Sequence, residues 1–82
     1  MNATEVKAIV LEELGKIAPE ADCAALDPQA PLRDEMDIDS MDFLNFVIAI
    51  DERLQVAIPE SDYGKLDSIA NIVGYLTAKI AQ

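Results

Sequence analysis

The 82-residue chain contains no histidine and no tryptophan, and Cys23 is its one cysteine. Without histidine there is no Ser-His-Asp or Cys-His relay and no HExxH metal pair; one cysteine supplies neither a multi-cysteine zinc set nor an internal disulfide. The fold must be held by its core alone, and a reducing, cytoplasmic setting is expected. Bases are scarce. Six against sixteen acids leave a net charge of −10 and a pI near 4.1, which opposes binding to nucleic acid or anionic membrane and favours partners with basic surfaces. No apolar run approaches the roughly 18 residues that span a bilayer, and the stretch from Met1 to Lys7 lacks the basic and apolar segments of a secretory signal, so membrane insertion is not expected.

What is present is a globular composition, 51% hydrophobic with 27% charged residues, rather than a disordered one. A core of this size is already hard to stabilise and cannot be divided, so residues 1–82 are expected to form a single domain, monomeric in solution. The charge is unevenly placed. From Asp34 to Asp62 there are nine acids and one base, Arg53, so −8 of the net −10 falls in about a third of the chain. A solvated acidic surface explains such a cluster without any function, and a docking surface for basic partners is the alternative.

The apolar periodicity is helical. Asn2 with Glu5 three residues on reads as a capping box, and Val6, Ile9, Val10, Leu14 and Ile17 follow at spacings of three and four. Gly15 weakens the last turn and Pro19 ends it. From Ala18 to Asp37 no period is visible, and a loop of about twenty residues predicts a functional or tethered segment, anchored by Leu26 and Leu32. Asp39 is placed to cap a second long helix opening at Ser40 and running to about Leu54. Around that helix Phe43, Leu44, Phe46, Val47, Ile50 and Leu54 share one arc, predicted to be core, with Asp51 at its edge. Met41, Asn45, Ile48 and Glu52 share a separate stripe beside Ser40, which is either scattered surface apolarity or a docking stripe. Val56 to Pro59 is an extended link, Ser61 to Leu66 forms one or two turns interrupted by Gly64, and Ser68 caps a last helix carrying Ile69, Ile72, Val73, Leu76 and Ile80. The predicted fold is all-α: a small bundle of three long helices plus one short helix, with a long loop between the first two long ones.

Ser40 has an ordinary explanation as a first-turn residue. It is also an exposed primary hydroxyl at a helix N-terminus, where a phosphodiester would face free backbone N–H groups and the positive end of the dipole. Asp39 and Asp42 oppose a bound anion there, so a phosphate fits better as a covalent attachment. The sequence from Asp37 to Asp39 also invites a calcium reading, but the EF-hand pattern needs an oxygen ligand and a glycine where Met41 and Asp42 stand, which leaves weak attraction of divalent ions and no metal site.

Asp39-Ser40-Met41-Asp42, the Leu44/Val47/Ile50/Leu54 arc, the Ile58-Pro59 link and the Ile69…Val73…Leu76 helix together resemble an acyl carrier protein. The resemblance covers nearly the whole chain and is firmest from Leu32 to Leu76. It implies that Ser40 receives 4′-phosphopantetheine from coenzyme A through a phosphopantetheinyl transferase, with Asp39 helping to present the hydroxyl and metal to that enzyme. The arm's thiol would hold acyl groups as thioesters for enzymes of fatty-acid, polyketide or related specialised lipid biosynthesis. The carrier itself would catalyse nothing, and Cys23 would be a bystander. Acyl-loading and acyl-processing partners with basic surfaces would dock on Met41, Asp42, Asn45, Ile48 and Glu52. Three positions depart from the family's pattern: Asp37 replaces the usual glycine, Asn45 the usual acid, and Phe43 the usual small residue. They point to a specialised carrier. An aminoacyl or peptidyl carrier using the same serine, or an unmodified acidic helical module, are the competing readings.

Overall fold

The computed structural model describes residues 2–19, 25–35 and 38–81; Cys23 and Asp37 lie outside them. Helix α1 spans Ala3–Ile17 and begins as its capping box requires. The Asn2 side chain accepts from the Glu5 amide at 2.9 Å, and Glu5 Oε1 accepts from the Asn2 amide at 3.3 Å. One face buries Val6, Val10 and Leu14 completely.

The described part of the segment expected to be aperiodic contains a helical turn, α2, at Leu32–Glu35. Its cause is tertiary rather than periodic. Pro31 forms an isolated antiparallel bridge with Ser68, the Leu32 amide donates to Asp67 O at 2.7 Å, and the Ala70 amide donates to Pro28 O at 2.9 Å. These bonds tie the loop to the start of the last helix. Leu32 is thereby buried, and Leu26 packs half-buried against the core.

Helix α3, Ser40–Leu54, starts at Asp39, whose side chain accepts from the Asp42 amide at 2.8 Å. It ends at Gln55, which turns left-handed (φ 57°) and donates its amide to Asp51 O. Phe46, Val47, Ile50 and Leu54 are buried. The link Val56–Pro59 leads into a 3₁₀ segment at Glu60–Lys65, where one or two turns were expected. Helix α4, Ile69–Ile80, is capped by Ser68 Oγ, which accepts from the Asn71 amide at 3.2 Å.

Helix α1 is the hub: it makes the main contacts with both α3 and α4, while the 3₁₀ segment leans on α4. The buried residues Val6, Leu14, Phe46, Ile50, Leu66, Ile72 and Leu76 form one core. Two polar contacts fix the elements around it. Arg53 Nη1 on α3 lies 2.9 Å from Glu12 Oε1 and 3.0 Å from Glu13 Oε1 on α1, with Lys16 3.3 Å from Glu13. Burial pushes the Glu13 carboxyl up, but its bonds to Arg53 and Lys16 outweigh that and hold it below the usual range. The second contact joins α4 to the 3₁₀ segment: Tyr75 Oη donates to Asp62 Oδ2 at 2.5 Å. This bond to a carboxylate, with burial, pushes the Tyr75 hydroxyl up to about 12. Among the described residues no helix is long and apolar enough to cross a membrane.

Candidate functional site

Ser40 is exposed and is the first residue of α3. The sequence places it there for a local reason: Asp39, in extended backbone, consumes one of the helix's free amides and stops the helix from extending backwards. The other first-turn amides remain directed at the space beside the serine. Among the described residues no side chain hydrogen-bonds to the Ser40 hydroxyl, and no group of three or more metal-ligating side chains gathers anywhere.

Two surfaces meet at Ser40. The first is the outer face of α3, where Met41 is 64% and Ile48 47% exposed, with Asn45 and Glu52 exposed beside them. Leu44 corrects the core arc expected from periodicity: it is 36% exposed. Helical projection puts it at the arc's margin, and among the described residues it is left partly open to solvent there. Met41, Leu44 and Ile48 consequently form a continuous apolar ridge at spacings of three and four. Asp42, half-buried, sits about 100° around the helix from Met41, off the ridge.

The second surface is an open groove of about 760 Å³ between α3, α2 and the 3₁₀ segment. Ser40 and Asp39 stand in its lining, with Leu32, Phe43, Leu44 and Tyr63 among the apolar walls. Phe43 meets Tyr63 edge-on, with ring centroids 6.0 Å apart, and stacks obliquely on Phe46 at 6.2 Å. Sequence reasoning missed this groove, because its two aromatic walls come from segments whose periodicity says nothing of their mutual placement. The departure of Phe43 from the resemblance was the one signal available.

The profile of a family described as "Phosphopantetheine attachment site" matches residues 4–76 of this chain. The chain belongs to the acyl carrier proteins. It is 35% identical over 72 residues to the acyl carrier protein of Campylobacter fetus, covering 88% of this chain and 87% of that one. Against the acyl carrier protein of Helicobacter hepaticus it is 27% identical over 73 residues, covering 89% and 90%. The fold agrees with these relatives. A solution structure assigned as an acyl carrier protein of Anaplasma phagocytophilum superposes with a TM-score of 0.84 at 27% identity, covering 96% of this chain and 92% of that one. As a member of this family the protein is a carrier and not an enzyme.

Proposed function

We propose that Ser40 carries 4′-phosphopantetheine and that the protein, a single carrier domain over residues 1–82 working in the cytoplasm, delivers acyl thioesters to the enzymes of a dedicated lipid or polyketide pathway. The observation that carries this reading is the exposed Ser40 hydroxyl at the N-terminus of α3, inside the segment matched by the phosphopantetheine attachment profile. In the modification, Ser40 Oγ bonds to the pantetheine-bearing phosphorus of coenzyme A, and the pyrophosphate link breaks. Adenosine 3′,5′-bisphosphate leaves, and the hydroxyl proton passes to a base of the transferase. The resulting phosphodiester carries one negative charge beside the first-turn amides, where the helix dipole favours it. Asp39 fixes the start of the helix and so the position of the hydroxyl, and it offers its carboxylate to a metal held by the transferase.

Partner enzymes bind the outer face of α3. An apolar hollow receives Met41, Leu44 and Ile48, while basic residues around it meet Asp42 and Glu52. Asn45 leaves the middle of this face uncharged, which favours partners whose basic residues lie at its ends and sets this carrier apart from those recognised through a continuous acidic row. Tethering then converts each encounter into delivery at high effective concentration.

Intact mass after incubation with coenzyme A and a broad-specificity phosphopantetheinyl transferase tests the assignment. Wild type should gain one phosphopantetheinyl group and Ser40→Ala none. A wild-type mass that does not change, or a Ser40→Ala chain that still gains the group, would refute it.

A further inference from the structure

We infer that the Met41 thioether is a reversible oxidation site: a peroxide converts it to the sulfoxide, which weakens docking on α3 and leaves the fold intact. The inference deepens the proposed docking face and rests on that reading. Its own ground is the setting of the sulfur. Met41 is 64% exposed, against 47% for Ile48 and 36% for Leu44 on the same ridge. It is neither in the lining of the groove, where Leu44 is, nor among the apolar residues packed against the core. Ser40 precedes it, itself exposed, and Asp39 and Asp42 flank the pair, with the Asp39 side chain accepting from the Asp42 amide at 2.8 Å. The thioether thus lies open beside the attachment serine, in a field of negative charge. Hydrogen peroxide, small and uncharged, reaches it without opposing that field.

In the reaction a sulfur lone pair attacks one peroxide oxygen and the O–O bond breaks. An S–O bond forms, and the other oxygen leaves as water with both peroxide protons, so sulfur loses the two electrons that the peroxide gains. The product is a polar hydrogen-bond acceptor. On the free protein this oxygen is in water, and the core loses nothing. In a complex it enters the apolar hollow that receives the ridge, giving up its hydration without a partner. Any enzyme that brings its active centre to Ser40, or to an arm on it, meets Met41 next to that serine. A single oxygen atom therefore slows loading and delivery together, and methionine sulfoxide reductases remove it again.

The experiment treats the full chain, before any arm is attached, with hydrogen peroxide, removes the peroxide, and locates each added oxygen by peptide mass mapping, because Met1 and Met36 also carry thioethers. Wild type and Met41→Leu, which keeps apolar bulk without sulfur, are then loaded by the phosphopantetheinyl transferase from coenzyme A, each beside its own untreated sample. Oxidation should lower kcat/KM for loading roughly tenfold in wild type, as one buried group without a partner gives, and leave the treated-to-untreated ratio of Met41→Leu near one. Tm of oxidised wild type should move by less than about 2 °C, and methionine sulfoxide reductases with a thiol reductant should restore its loading. A Met41 that stays unoxidised while Met1 and Met36 take up oxygen would overturn the inference. So would unchanged loading of protein oxidised at Met41, an equal loss in Met41→Leu, or a loss that follows a fall in Tm. Untreated Met41→Ala separates these failures from failure of the docking face itself: it loads several-fold more slowly than wild type if the ridge is the docking surface, and at the wild-type rate if it is not. Failure of the attachment assignment is distinct again, because untreated wild type would then gain no arm.

Discussion

Ile48 and Ile50 stand two residues apart on α3, one 47% exposed and the other 1%. Replacing each by alanine removes the same three carbons, so the difference between the two variants isolates the site. In transfer terms three carbons are worth about 2.4 kcal/mol when fully buried, and Ile48, about half-buried, has about half of that to lose. Its truncation opens no closed cavity, and alanine returns about 0.4 kcal/mol of helix propensity, leaving a net loss below about 1 kcal/mol, or less than about 8 °C in Tm. At Ile50 the cavity left in the buried core adds to the transfer loss, for about 2–5 kcal/mol and a fall of more than about 10 °C. Transferase kinetics complete the comparison. Ile48→Ala should lower kcat/KM for arm loading several-fold with little dependence on salt, whereas Glu52→Lys should reduce it most at low ionic strength, since rim charges act mainly through association rate. The reasoning is refuted if Ile48→Ala melts as low as Ile50→Ala while its loading kinetics stay those of wild type, because Ile48 would then belong to the core and the apolar half of the docking face would be lost.

The acids between Asp34 and Asp62 repel one another within a screening length of about 10 Å at 0.1 M, so added salt or magnesium should raise Tm, and a flat or falling Tm between low and moderate salt would contradict this. Asp51 has a buried Oδ1 with no hydrogen-bond partner among the described residues, and burial pushes its carboxyl up against the pull of the Ile58 amide and Lys79. Because the folded value exceeds the unfolded one, its ionisation weakens the fold as pH rises through the folded value; Asp51→Asn should raise Tm at pH 7, with the gain vanishing below pH of about 4. Tyr75 has the same sign at the alkaline end: its contribution is complete below its ordinary value of about 10 and disappears as pH rises through about 12. Tyr75→Phe should therefore lower Tm at pH 8 and remove that alkaline step, as pH-dependent melts by circular dichroism would show.

The legible parts of the sequence were those whose cause is local. Asn2, Asp39 and Ser68 cap their helices through amides three residues away, and Val6, Val10, Leu14, Phe46, Ile50 and Leu76 are buried because a single helical face must be. Ser40's exposure follows from its place beside a cap. The parts that were not legible have distant causes. The turn at Leu32–Glu35 is too short for a period and is held by Asp67 and Ser68, more than thirty positions away. Glu13 reads as an acid misplaced on an apolar face until Arg53, forty residues on, is seen to pair with it. Leu44 belongs by projection to the core arc, and what leaves it partly open to solvent is the placement of the other elements, which its own helix does not set.

The position of α1 as hub has a consequence for the life of the chain during synthesis. Its apolar face is completed by α4, which follows both α1 and α3 in the chain, and Val6 and Leu76, seventy residues apart, close the same core. Until α4 emerges, α1 lacks one of its two main packing partners, and contacts of such long separation form late. A nascent chain with Ser40 already outside the ribosome thus lacks a settled α3 N-terminus and a firm outer ridge. On the proposed attachment at Ser40, loading should follow the docking of α4, and a chain stopped before Leu76 should gain little or no arm from the transferase.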